Sequence, residues 1–207
     1  MHLADGLIPF SQAIIYWVIA LIFIFLFDYI LFKRNKVKEK KIVFIGVLTA
    51  VTTVASAVTV PTPFGISIHF FMFPLDSLLL GPVTASIISF IALLFQSFLG
   101  IGGFTTLGVN FLIMGLTISF VTYYSYRIFS LLNDKFGIFA STFISIICAT
   151  IFQVFVLIIS GSTNIEMLVS TLVPFYLLVA IIEGILNIFI LYLIRKLMPN
   201  VLDFGKI

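Results

Sequence analysis

The 207-residue chain is 62% hydrophobic and 9% charged, with 25 Phe and a formal net charge of +3, and its mean hydropathy is +1.30. Apolar runs of this kind need lipid as their solvent, which excludes a soluble globule and predicts an all-α integral membrane protein. The small positive charge reflects loop bias at a membrane and gives no argument for nucleic acid, while the single Cys148 leaves any metal to nitrogen or oxygen ligands.

The chain opens Met1-His2-Leu3-Ala4-Asp5-Gly6, which puts a free α-amine, a backbone amide and an imidazole within one dipeptide. Bound through the Met1 amine, the His2 amide nitrogen and His2 Nδ1, a divalent ion closes a five-membered and then a six-membered chelate ring. Three corners of a square are then filled. A nitrogen set suits Ni(II) or Cu(II) better than Mg or Ca, and the one other histidine, His69, can supply the fourth nitrogen. The amine must lose its proton to bind. A frayed terminus with an unrelated loop histidine is the other reading, and these residues alone leave both open. No basic residue precedes Lys33, so these first residues are expected to stay in the mature protein rather than leave with a signal peptide.

Ser11 to Phe32 is an apolar run of spanning length closed by Lys33-Arg34. The segment Lys33 to Lys41 holds six of the eleven basic residues, which assigns it to the cytoplasm and puts the N-terminus outside, inserted toward the bundle. The second span, about 42–60, carries small residues on a helical repeat: Gly46 and Ala50, and Thr49, Thr53 and Ala57. Such a face permits close helix contact, either within the chain or as a docking face for a partner subunit. Pro61-Thr62-Pro63-Phe64-Gly65 breaks the helix on the outer side and His69 follows, so the two histidines can meet.

His69 to Gly100 is too long for one span, but Pro74 and Gly81-Pro82 interrupt it, which predicts a short inward helix at 69–80 and an outward one at 82–99. With this split Arg127, Lys135, Arg195, Lys196 and Lys206 join the first six, and all eleven basic residues are cytoplasmic. Helices at about 11–32, 42–60, 69–80, 82–99, 107–130, 136–160 and 167–197 make about seven transmembrane helices in one membrane domain, 1–207, with 1–10 as the candidate metal-binding segment.

The outer loop Gly100 to Asn110 carries Gly102-Gly103, Thr105-Thr106 and Gly108 between two very apolar helices. It can fold into the bundle and offer Asn110, Thr105 and Thr106 as groups that hold ligands in place, or it is an ordinary turn. Glu183 lies in the middle of the last span, where a charge costs about 2.5 to 3.5 kcal/mol on insertion scales, so it is expected to face the bundle interior as a site residue or a helix tie. Asp76 is a second unexpected carboxylate, and Asp5 could accept a hydrogen bond from a ligand imidazole or amide. There is no Walker motif, no HExxH and no histidine left over for a Ser/His/Asp set, so the chain is not expected to be an enzyme or to hydrolyse ATP itself.

Met1-His2 with Asp5-Gly6 resembles the start of the substrate-capture subunits of cobalt and nickel energy-coupling-factor transporters, the CbiM/NikM family. Similar blocks follow in the same order over most of the chain: His69 after a Pro/Gly loop, Leu79-Leu80-Gly81-Pro82, Leu94-Phe95-Gln96, Gly102-Gly103, Thr105-Thr106-Leu107-Gly108, Asn110 and Glu183-Gly184. The resemblance implies a seven-helix subunit in a prokaryotic cell membrane that captures Ni(II) or Co(II) from outside as transported substrate, with ligands at Met1, His2 and His69 and no organic cofactor. It also implies a transmembrane coupling subunit, two cytoplasmic ATPase subunits and, as an open question, a small accessory membrane subunit. Two features depart from the pattern. Phe70-Phe71-Met72-Phe73-Pro74 and Asp76 follow His69 where a Thr- or Gly-rich stretch is usual, and Leu3-Ala4 do not decide between nickel and cobalt.

Two other functions compete on sequence grounds. A related capture subunit for an organic vitamin or amino acid would use the aromatic residues as a stacking wall and would keep binding without its histidines. A scaffold or membrane enzyme would transport nothing.

Overall fold

A computed structural model describes residues 1–34, 39–61, 67–161 and 165–198. Within them the chain forms seven helices: α1, Phe10–Asp28 with a π-helical extension Tyr29–Arg34; α2, Glu39–Ala57; α3, Phe73–Leu80; α4, Pro82–Phe98; α5, Leu107–Phe129; α6, Asp134–Ile159; and α7, Ile165–Leu197. Five of them contain segments long and apolar enough to cross a membrane, and Pro82–Phe98 is a shorter apolar helix. An antiparallel pair of short strands, β1 (Thr59–Pro61) and β2 (Ser67–His69), joins α2 to α3 and sets Thr59 opposite His69. The predicted outer break over residues 61–65 falls mostly outside the described residues, as does part of the basic run after α1.

The short inward helix starts later than its predicted start at residue 69. His69 ends strand β2, Met72 sits at φ 62°, a left-handed backbone that cannot continue a helix, and Pro74 falls in the first turn, where its missing N–H costs nothing. The break between α3 and α4 lies where Gly81-Pro82 predicts it. Gly81 has φ 80° and ψ 168°, a conformation that favours glycine, and Pro82 opens the next helix. The middle of α5 is wound as a π-helix from Phe111 to Thr117, and the Thr117 hydroxyl donates to the Leu112 carbonyl across that looser turn.

Two buried clusters stack along the bundle. The outer one gathers Met1, Leu3, Ile8, Phe71, Leu107, Phe111 and Tyr176, and the inner one gathers Leu48, Leu75, Leu79, Ile88, Ile138 and Leu191. Where α1 crosses α5, a Cβ on Gly108 would stand 2.8 Å from the Trp17 backbone, so that glycine permits the close crossing. At the inner end Asn133 Oδ1 caps α6 by accepting from the Lys135 and Phe136 amides, while Arg195 pairs with Asp134 and donates to the Tyr126 hydroxyl, which itself donates to Asp134. Lys33, Lys40, Lys41, Arg127, Lys135, Arg195 and Lys196 all lie toward this end, opposite Met1 and His69, the end that the positive-inside rule assigns to the cytoplasm.

Candidate metal centre

Residues 1–9 do not trail into solvent. They turn back between the loop before α5, the chain after β2 and α7, so that Met1 and Leu3 are only 4% and 2% exposed. The Leu3 amide donates to Asn110 Oδ1 at 2.9 Å, and the Leu3 carbonyl accepts from Asn110 Nδ2 at 3.0 Å, the Gly103 amide at 3.0 Å and the Thr106 hydroxyl at 2.6 Å. One residue is thus clamped through both its peptide groups, which fixes the segment without using a side chain of its own.

Asp5 completes the clamp from the other side. Its carboxylate accepts from the Thr105 amide at 2.8 Å, the Phe104 amide at 3.2 Å and the Thr105 hydroxyl. That hydroxyl first, with the loop amides, holds the Asp5 carboxyl below its usual range. The acceptor capacity that Asp5 is expected to offer a ligand imidazole or amide is thus directed to the loop. The reason is steric: Gly103 lies so close that a Cβ there would stand 2.2 Å from Asp5 Oδ1.

His2 and His69 meet beneath this cap. Their ring centroids are 5.1 Å apart, and among the described residues His2 Nε2 and His69 Nδ1 are buried with no hydrogen-bond partner. With metal–nitrogen bonds of about 2 Å, two imidazoles sharing one ion stand about 4.4 Å apart in cis and about 6.2 Å apart in trans, so the observed spacing fits a shared ion. His2 Nδ1 lies under Gly102, 3.5 Å from where a Cβ would be. Closing the six-membered ring through that nitrogen takes a rotation of the His2 ring.

The Met1 amine donates to the Tyr176 hydroxyl on α7. Burial lowers the pKa of this amine from 8.0 to about 5 and that of His69 from 6.5 to about 4, and it pushes His2 well below its usual value. At neutral pH all three groups carry free lone pairs, the state that metal binding requires. No three His, Cys, Asp or Glu side chains converge among the described residues.

Glu183 and Asp76 separate in role. Glu183, 2% exposed, accepts from the Phe71 amide at 3.1 Å and the Met72 amide at 3.0 Å, and so holds the chain just after His69. Asp76 faces α2 instead, where the Thr52 hydroxyl donates to Oδ2 at 2.8 Å, and the chain of contacts continues through Ser56 to Gln96 on α4. Sequence reasoning missed this buried chain and Tyr176. A signal for Tyr176 was present: it lies seven residues before Glu183 on one helix, so the two share a face.

The small residues of α2 point elsewhere. Gly46, Thr49, Ala50 and Thr53 line an open groove of about 670 Å³, walled by Ile87, Ile91 and Phe95 of α4, by Asp28 at the end of α1 and by Phe32 of its π-helical extension. Ala57, at the end of the helix, is not part of that lining.

A family described as CbiM, cobalt uptake substrate-specific transmembrane region, matches residues 2–201. This chain belongs to the CbiM family. It is a multi-pass membrane component of cobalt/nickel transport, of the non-enzymatic substrate-capture type. A cobalt transport protein CbiM of Thermosipho melanesiensis is 28% identical over 97% of this chain and 88% of its own length. A cobalt transport protein CbiM of Clostridium tetani is 33% identical over 67% of this chain and 58% of its own length. Among solved structures, a truncated transition metal transporter superposes with a TM-score of 0.84 at 20% identity, covering 95% of this chain and 99% of that one. A second transition metal transporter gives 0.82 at 23% identity, covering 95% and 93%. These two support the fold.

Proposed function

We propose that the chain captures Ni(II) or Co(II) at its outer end with the Met1 amine, the His2 amide and imidazole, and His69, and passes it on as the substrate-specific subunit of an energy-coupling-factor transporter. The observation that carries this reading is the meeting of the buried terminus with two histidines whose ring centroids, 5.1 Å apart, stand at a spacing that one shared ion allows. Burial keeps the amine and both imidazoles neutral at pH 7, so of the four nitrogens only the His2 amide has a proton to lose, and that proton is released to solvent as the ion binds. Asn110, Thr106, Asp5 and Thr105 hold the terminal segment, so little ordering remains to be done when the ion arrives.

Transport needs an energy source that this chain does not carry. A transmembrane coupling subunit with two cytoplasmic ATPases, with or without a small accessory subunit, supplies it. The α2 groove is the docking face for the coupling subunit. Thr49 and Thr53 donate their hydroxyls back to the Ile45 and Thr49 carbonyls, leaving a smooth wall, and a Cβ on Gly46 would meet nothing within 4 Å.

Adding residues ahead of Met1 converts the amine into a peptide amide and forces the buried terminus out of its seat. Calorimetry of the purified protein with Ni(II) and Co(II) should show high-affinity binding that the extension abolishes and that His69→Ala reduces severely. An extended protein that binds normally would rule out the terminal ligand set.

A further inference from the structure

We propose that Tyr176 and Glu183, seven residues apart on one face of α7, are the positioning residues that set the two halves of the metal site against each other. This rests on the metal-capture reading above and assigns its geometry to a single helix. Tyr176 receives the Met1 amine, and Glu183 accepts from the Phe71 and Met72 amides, two and three residues after His69. The two halves of the ligand set arrive from opposite directions in sequence: one is the chain terminus, the other a loop more than sixty residues later. Neither half has rigid secondary structure between its ligand and the point where it is held. The distance between them is therefore fixed by the rise of α7 between the two anchors, about 1.5 Å per residue.

The Tyr176 hydroxyl suits an amine that must change state. It accepts a hydrogen bond from the ammonium form, and it can still accept one from a metal-bound NH₂ group, which keeps two hydrogens after its lone pair is given to the ion. A carboxylate at this position would hold the protonated form and compete with the metal. The hydroxyl carries no charge, so it seats the amine without favouring the proton. Its ring lies 6.1 Å from Phe71, whose own ring stands edge-on to His69 at 5.2 Å, so Tyr176 also touches the second half of the site. Glu183 does the corresponding work on main chain. Its two acceptors hold a left-handed turn at Met72 that aims β2, and with it His69, at the terminus.

The test is a pair of double-mutant cycles read by Ni(II) calorimetry and by the visible ligand-field spectrum of the bound ion. Tyr176→Phe keeps the ring and removes the hydroxyl, and Glu183→Gln keeps the shape and removes one acceptor of equal strength. Each should weaken Ni(II) binding about 10- to 100-fold, the usual effect of losing a group that orients a ligand, and should shift the spectrum while the melting temperature of the metal-free protein changes little. In the His69→Ala background Glu183→Gln should have no further effect, whereas Tyr176→Phe should keep its full effect there. Wild-type affinity and spectrum in both variants, or losses of equal size in every background, would overturn the assignment and leave metal capture standing. Failure of the wild type to bind Ni(II) or Co(II) would overturn both.

Discussion

The outer cap and the α2 flank are built on opposite plans. In the cap, main-chain groups of a segment without helix or strand are tied by side chains from elsewhere: Leu3 by Asn110 and Thr106, the loop amides by Asp5, and the Phe71 and Met72 amides by Glu183. On the flank, regular helix borders an open groove. Gly46 and Ala50 are exposed, and the hydroxyls beside them are satisfied within their own helix. A capture site must hold a chain terminus in one place, which takes many specific ties. A docking face must stay open until its partner arrives, which takes smoothness and small side chains.

The sharpest contrast comes from treating one glycine in each region alike. A Cβ on Gly103 would stand 2.2 Å from Asp5 Oδ1 and 2.4 Å from the Asp5 amide nitrogen, and the second of these is backbone that cannot swing away. Gly103→Ala should therefore displace the terminal segment at a cost of about 1 to 3 kcal/mol, which weakens Ni(II) binding roughly 5- to 150-fold in calorimetry. Gly46→Ala meets open space and should leave the affinity unchanged. Equal effects at the two glycines would remove the distinction between a packed cap and an open flank.

A smaller effect separates the regions by pH. In the unfolded chain the amine and the histidines take up protons as pH falls below 8.0 and 6.5, whereas in the folded cap they resist until about 5 for the amine and about 4 for His69. Their folded values are depressed, so the stability they contribute is full above pH 8 and is lost as pH falls toward 4. Thermal melts of the metal-free protein should show a melting temperature that declines over that window. The N-terminally extended protein, whose terminus is displaced, should show a shallower decline, and identical slopes would argue that the amine is not buried.

The difference in plan also explains what could be read from the sequence. Helices declare themselves by long apolar runs, and the break at Gly81-Pro82 follows from two residues with sharp backbone preferences, so the seven helices were legible. The start of α3 was not, because Phe70 to Phe73 is as apolar as a helix and the turn at Met72 is set by Glu183, more than a hundred residues away. In the cap, the glycines and the polar loop announced a covering segment, but the partners of Asp5 depended on how closely Gly103 approaches it. Tyr176 stayed hidden because one tyrosine in an apolar span reads as packing until the terminus is found against it.

The flank itself is tested by Ala50→Leu, where the expected change in capture is nil. Ala50 is exposed and lines the groove, and its neighbour Thr49, also in the lining, is only 7% exposed. A leucine at 50 adds three heavy atoms to space that the chain leaves open, so it strains nothing inside the bundle. It removes the shallow surface that lets another helix approach closely, and in lipid such packing is the main attraction between helices. The mutant should bind Ni(II) as the wild type does and fail to copurify with the transmembrane coupling subunit. Ala57→Leu, outside the lining, should assemble normally and serves as the control. Normal assembly of Ala50→Leu would move the docking face off α2. Loss of metal binding together with assembly would mean that the groove closes on another part of this same chain, because overfilling an internal contact costs about 1 to 3 kcal/mol and would be felt at both ends of the bundle.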